Sequence, residues 1–157
     1  MQSHKQLYPH NPPHSYGDCF RTALGCLLDL PPEQVPHFYD GVGADDDATE
    51  ANKSIHYWLH SHGYTLVTVA YEAPLDQVLY SMGHNNPTLY YLISGTSITG
   101  NNHCCVALGG EIIWDPAPEG KGLIGPRSNG QIIIEVLASS RQSSGWSSTG
   151  DIKPSTG

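Results

Sequence analysis

The sequence predicts an α+β domain, with an N-terminal helix packed on a mainly antiparallel sheet. Three observations predict it. The first strong element, residues 18–30, carries a helical apolar stripe. Further helical segments follow, and then a run of short apolar strands. Within that run Gly109-Gly110 marks a tight turn, the connection that pairs neighbouring strands antiparallel.

Residues 1–16 are polar and rich in Pro and His, and read as an extended lead-in. In the first helix Phe20, Ala23, Leu24, Leu27 and Leu28 recur at i, i+3, i+4, i+7 and i+8, the stripe of a helix buried on one face. Asp18 stands where an N-cap belongs, which puts Cys19 in the first turn. Pro31-Pro32 ends the helix. Pro32 to Val35 makes one short turn with Pro at its start, and Pro36-His37-Phe38 packs down after it. Residues 40–48 form an acidic loop without the glutamate that closes a standard calcium loop. Thr49 to His62 is a second helix with Ile55, Trp58 and Leu59 inward and Gly63 at its C-terminal cap. Tyr64 to Tyr71 alternates and is β-branched, so it is a strand. Pro74 to Met82 is a short amphipathic helix, and Pro87 to Ser94 an apolar, aromatic strand. Gly95 to Asn102 is a polar loop. His103 to Leu108 and Glu111 to Trp114 are the two arms of the hairpin. A loop covers Asp115 to Gly120, and Gln131 to Leu137 is the last strand. From Ala138 the chain is rich in Ser and Gly, so one domain over residues 1–137 is followed by a tail over 138–157.

The length, 157 residues, suits one domain with a core large enough to fold without staples. The formal net charge of −8 argues against phosphate-tracking nucleic-acid binding and against docking on anionic membranes. No window reaches the run of about 20 apolar residues that a membrane span needs. The first residues lack the apolar core of a secretory signal, so the expected compartment is the cytoplasm. There the four cysteines are thiols rather than a disulfide framework. Cys19 and Cys26 lie two helical turns apart, Cys104 and Cys105 are adjacent, and neither pair has the spacing of a zinc site.

Three positions carry chemistry together. Cys19 sits at a helix N-terminus, where partial positive charge and unpaired N–H groups favour a thiolate and can hold an oxyanion. His103 opens a strand, and Asp115 follows the returning strand of the same hairpin. Counting outward from Gly109-Gly110 brings both to the same end. An imidazole beside a thiol serves as base and acid, and a carboxylate sets its tautomer and orientation.

The blocks Gly17-Asp18-Cys19-Phe20, Leu27-Leu28-Asp29-Leu30-Pro31, Val35-Pro36-His37-Phe38, Asn102-His103-Cys104-Cys105-Val106 and Trp114-Asp115-Pro116-Ala117-Pro118, with Gly120-Lys121-Gly122-Leu123, resemble papain-like cysteine peptidase-fold proteins. Small phage and bacterial proteins share this look, and the order Cys, His, Asp-Pro is also similar to the bacteriocin-leader peptidase domains of peptide exporters. The resemblance covers roughly residues 6–125. It implies a papain-like fold with Cys19 as nucleophile, His103 as general base and acid, and Asp115 as the orienting residue. It implies an upstream side-chain amide for the oxyanion hole, for which Gln6 is the first candidate, ahead of Gln2 and Asn11. Gln6 lies thirteen residues before Cys19, far for that role. Asp18, Asn102 and Trp114 become candidate cleft residues, Trp114 standing where similar proteins carry His. The implied activity is hydrolysis of a peptide or isopeptide bond in a peptide or protein substrate, with no metal and no cofactor. A phage-encoded enzyme would act on a host or defence component in the host cytoplasm.

Two other activities compete. The same fold can serve as an amidase or acyltransferase, or as a binding module for a peptide, nucleotide or host protein. A zinc hydrolase is the third class: His56 and His60 have i, i+4 spacing, with His62 beyond, although no HExxH glutamate accompanies them. Cys26, Cys104 and Cys105 read as core filler.

Overall fold

The structure, a computed structural model, describes residues 1–140. Three helices, α1 (Cys19–Leu28), α2 (Thr49–Ser61) and α3 (Leu75–Asn85), accompany a 3-10 turn over Pro32–Gln34. Six strands complete the fold: β1 (Tyr64–Tyr71), β2 (Tyr90–Ser97), β3 (Asn102–Leu108), β4 (Glu111–Trp114), β5 (Leu123–Gly125) and β6 (Ile132–Ser139). They make one open sheet in the order β1-β6-β2-β3-β4, with β5 pairing β2 beyond the end of β6. Every pairing is antiparallel. The domain is therefore α+β, with helices packed on an antiparallel sheet. Among the described residues no helix is long and apolar enough to cross a membrane.

Strand alternation divides the core in two. On one face α1 and α2 bury Leu24, Cys26, Ile55 and Leu59 against Leu66, Leu92, Cys104 and Val106. On the other, α3 packs Val78 and Met82 against Tyr91, Ile93, Cys105 and Ile134. Each such aliphatic side chain stabilises the fold by about 1.5–3 kcal/mol. The adjacent cysteines thus serve opposite cores, as neighbours on a strand must.

Several boundaries differ from expectation for identifiable reasons. β2 starts at Tyr90 rather than Pro87, because the Leu89 N–H turns back to the Asn86 carbonyl before the ladder begins. It then continues to Ser97 through the expected polar loop. Gly95 permits this: a Cβ there would collide with the Gly125 carbonyl, so only glycine lets β5 approach. β5 itself has three residues, too few to show alternation, and went unpredicted. α3 runs three residues past Met82, to Asn85, because Gly83 lies flat against Gly110, with 3.0 Å between its virtual Cβ and the Gly110 Cα. β6 reaches Ser139, into the expected tail; residues 141–157 lie outside the described residues.

Asp18 corrects a second expectation. It precedes α1, but its side chain makes no capping hydrogen bond. The carboxylate instead accepts from Arg21 Nε at 3.0 Å and from the Leu7 and Tyr8 N–H groups at 3.2 and 2.9 Å. Neutralising a buried guanidinium outweighs a single neutral cap bond. The first turn of α1 is left without a side-chain cap.

Candidate active site

Cys19 is the first residue of α1 and half-buried, facing a cleft of about 650 Å³. Its position follows from the anchoring of that helix end. Asp18 ties the lead-in segment to Arg21, and Arg21 donates onward to the Val35 carbonyl at 3.2 Å.

His103 and Asp115 meet through a β-bulge. β3 and β4 pair as Leu108–Glu111 and Ala107–Ile112, and then the register shifts so that Val106 faces Trp114. Ile113 is the extra residue. Without the shift, Asp115 would stand opposite Cys104, on the α1 face. The added residue moves it opposite Cys105, on the face that His103 shares. His103 Nε2 then donates to Asp115 Oδ1 at 2.5 Å, and both residues are buried. Two backbone donors complete the carboxylate: the Ala117 N–H at 2.8 Å and the Gly122 N–H at 2.7 Å. Lys5 Nζ clasps the same loop through the carbonyls of Asp115 and Ala117 at 2.9 and 2.8 Å.

The electrostatics follow from these partners. Burial works against an imidazolium at His103. The hydrogen bond to Asp115, with the nearby Cys105 and Cys19 thiols, outweighs it and pushes the group up to about 12. Since Nε2 is committed to Asp115, Nδ1 is the nitrogen left for a thiol. Burial likewise raises the Asp115 carboxyl, but the His103 bond and charge, with the two amides, hold it below the usual carboxylate range. His103 and Asp115 thus form an ion pair at neutral pH. Burial pushes up the thiols of Cys26, Cys104 and Cys105, and the nearby His103 only partly offsets this at Cys105.

The pair predicts a pH signature. The Asp115 contribution to stability is present above the ordinary carboxylate value of about 3.9 and is lost as pH falls through the lower folded value. The His103 contribution is full below about 6.5 and declines as pH rises toward the folded value. The stability difference between wild type and Asp115→Asn is therefore largest between about pH 4 and 6.5. Above that it shrinks by at most about 1.4 kcal/mol per pH unit. Urea unfolding at pH 3, 5.5 and 9 measures it; a difference unchanged from pH 5.5 to 9 would mean a neutral His103.

Of the other candidates, Asn102 lines the cleft beside His103, whereas Asp18, Gln6 and Trp114 do not. Asp18 is 1% exposed beneath the helix end. Gln6 Nε2 donates to the Tyr8 carbonyl at 2.7 Å. Trp114 Nε1 donates to the His4 carbonyl at 2.8 Å, with Lys5 over its ring, so it holds the lead-in segment. His56 lines the cleft, but His62 binds the Trp58 carbonyl and packs on its ring. Among the described residues the one group with metal-ligand proximity is His103, Cys105 and Asp115, whose donor atoms lie within 4.8 Å of one another. Cys105 at the imidazole was missed by sequence reasoning, although i, i+2 spacing on a strand places it on the face of His103. Tyr39, Arg127 and Glu135 also line the cleft and went unpredicted, since they come from three distant segments. Comparison with protein-family models, curated proteins and solved structures finds no match to this chain.

Proposed function

We propose that this protein is a cysteine-nucleophile hydrolase of papain-like fold that cleaves a peptide or isopeptide bond through Cys19, His103 and Asp115. One observation carries the reading: a buried His103–Asp115 ion pair on the same cleft as the thiol at the start of α1. An imidazolium beside a cysteine favours the thiolate. Cys19 Sγ attacks the substrate carbonyl carbon, and the electron pair moves to oxygen. The uncapped first turn of α1 offers N–H groups to that oxyanion. Collapse breaks the C–N bond as His103 gives its proton to the leaving amine, which leaves a thioester on Cys19. His103 then deprotonates a water, the hydroxide attacks the thioester, and the C–S bond breaks to release a carboxylic acid. Asp115 holds the imidazole in orientation throughout.

A binding module of the same fold is the second reading. It is favoured by the commitment of the Gln6 amide to Tyr8, which leaves the oxyanion without that side-chain donor. Alkylation by limiting iodoacetamide from pH 5 to 9, mapped by mass, separates the two. Under the hydrolase reading Cys19 reacts at pH 6 at least about tenfold faster than an ordinary thiol of pKa about 8.5, and slows in His103→Ala. The other three cysteines are buried with raised thiols, so fast labelling at that pH reports on Cys19. Ordinary reactivity at Cys19, unchanged in His103→Ala, would leave the binding module as the better account.

A further inference from the structure

The proposed mechanism leaves a polar patch on the cleft unexplained. Glu135, on β6, accepts from Thr68 Oγ1 of β1 at 3.2 Å. Arg127 comes from the turn between β5 and β6, which is held by its own N–H donating to the Gln131 carbonyl at 2.9 Å. The Thr96 hydroxyl fixes the preceding residue through the Pro126 carbonyl at 2.7 Å. The Arg127 Nε is buried and has no hydrogen-bond partner among the described residues. Its guanidinium favours the Glu135 charge without forming an ion pair among the described residues. A buried donor left unpaired costs about 1–3 kcal/mol, and Arg127, half-buried as a residue, opens on the cleft with hydrogen-bonding capacity unused. The patch shares one compartment with the thiol: Arg127, Glu135, Tyr39 and Cys19 all line the cleft.

Charge logic narrows the ligand. A carboxylate would gain Arg127 but would be set against the Glu135 carboxyl. A lysine or arginine side chain would meet the Arg127 cation. Burial also pushes the Glu135 carboxyl up, which weakens the counter-charge a cation would find. A primary carboxamide carries an acceptor and two donors with no net charge, and so complements both side chains.

We propose that Arg127 and Glu135 form the specificity subsite of this cleft and hold the carboxamide of a substrate Gln or Asn side chain. Its carbonyl accepts from the Arg127 guanidinium, and its NH2 donates to the Glu135 carboxyl. This rests on the cysteine hydrolase reading.

Peptidyl chloromethyl ketones test it, because the Cys19 sulfur bonds to the methylene carbon as chloride leaves. Tripeptide probes carry Gln, Glu, Lys or Leu at each of three positions. The labelling rate of each is divided by that of N-ethylmaleimide on the same protein. At one position Gln is expected to exceed the others by at least about tenfold, the discrimination a charge-assisted hydrogen bond supplies. Arg127→Met should reduce that preference to within about twofold, and Glu135→Leu should do the same. Faster labelling by Glu or Lys, equal rates at every position, or a preference that survives Arg127→Met overturns the carboxamide subsite. If N-ethylmaleimide still labels Cys19 rapidly and depends on His103 in that case, the nucleophile reading stands alone. If N-ethylmaleimide does not favour Cys19, both readings fall.

Discussion

Under the proposed function, Cys19→Ala should abolish hydrolysis and rapid thiol labelling, by at least about a thousandfold in rate, with little change in stability. The residue is half-buried at a helix end and contributes little to the core. Cys26→Ala should behave in the opposite way. Its side chain is completely buried between α1 and the sheet, so truncation opens a small cavity and costs about 1–2 kcal/mol. Its thiol is pushed up by burial and is not positioned to react, so labelling and turnover should persist. Thermal unfolding and mass-mapped labelling of the two variants give the comparison. Loss of stability in Cys19→Ala with no loss in Cys26→Ala would reverse the roles assigned to the two positions.

The second large effect is on folding. Asp18→Ala removes the acceptor for Arg21, whose side chain is 10% exposed, and for two backbone amides. An uncompensated buried guanidinium costs about 3–5 kcal/mol. Denaturant unfolding should register a loss of that order. The double variant Asp18→Ala/Arg21→Met removes the stranded charge as well, so it should be more stable than Asp18→Ala alone. A single-variant loss under about 1 kcal/mol, or a double variant that is worse still, would show that Arg21 finds solvent instead. The anchor also matters for the proposed chemistry. Asp18 holds the lead-in segment to the helix end that presents Cys19, so the same variant should slow Cys19 alkylation even where the protein stays folded.

The long periodic elements were legible because apolar residue types repeat in them. Phe20, Ala23, Leu24 and Leu27 marked α1, although the structure buries it all round from Phe20 to Cys26; the range of β1, Tyr64 to Tyr71, was as expected, although only Leu66 of it is buried. Cys19, His103 and Asp115 were legible as residue types at element ends. The sequence was misleading where a side chain had two uses. Asp18 has the composition of a cap, yet the nearby buried Arg21 claims its carboxylate. Gln6 supplies an amide, yet the local bend gives it to the Tyr8 carbonyl. Arg127 and Glu135 carried no local signal, because their proximity depends on β5 folding back beside β2.

By itself, the sequence determined the fold class and the order of most elements, because hydrophobic periodicity is a local property of neighbouring residues. It also determined which residue types stand at the start of α1 and at the open end of the β3–β4 hairpin. Only the tertiary structure decided which of those side chains face one another. A regular count back from Gly109-Gly110 would send Asp115 to the Cys104 face, away from His103. The register shift after Ala107 turns it to the His103 face, and the Ala117 and Gly122 amides keep it there. The physical reason is that a strand's side chains alternate with period two. A single extra residue therefore reverses a side chain's face, and its position is set by packing across the sheet rather than by the residues on either side of it.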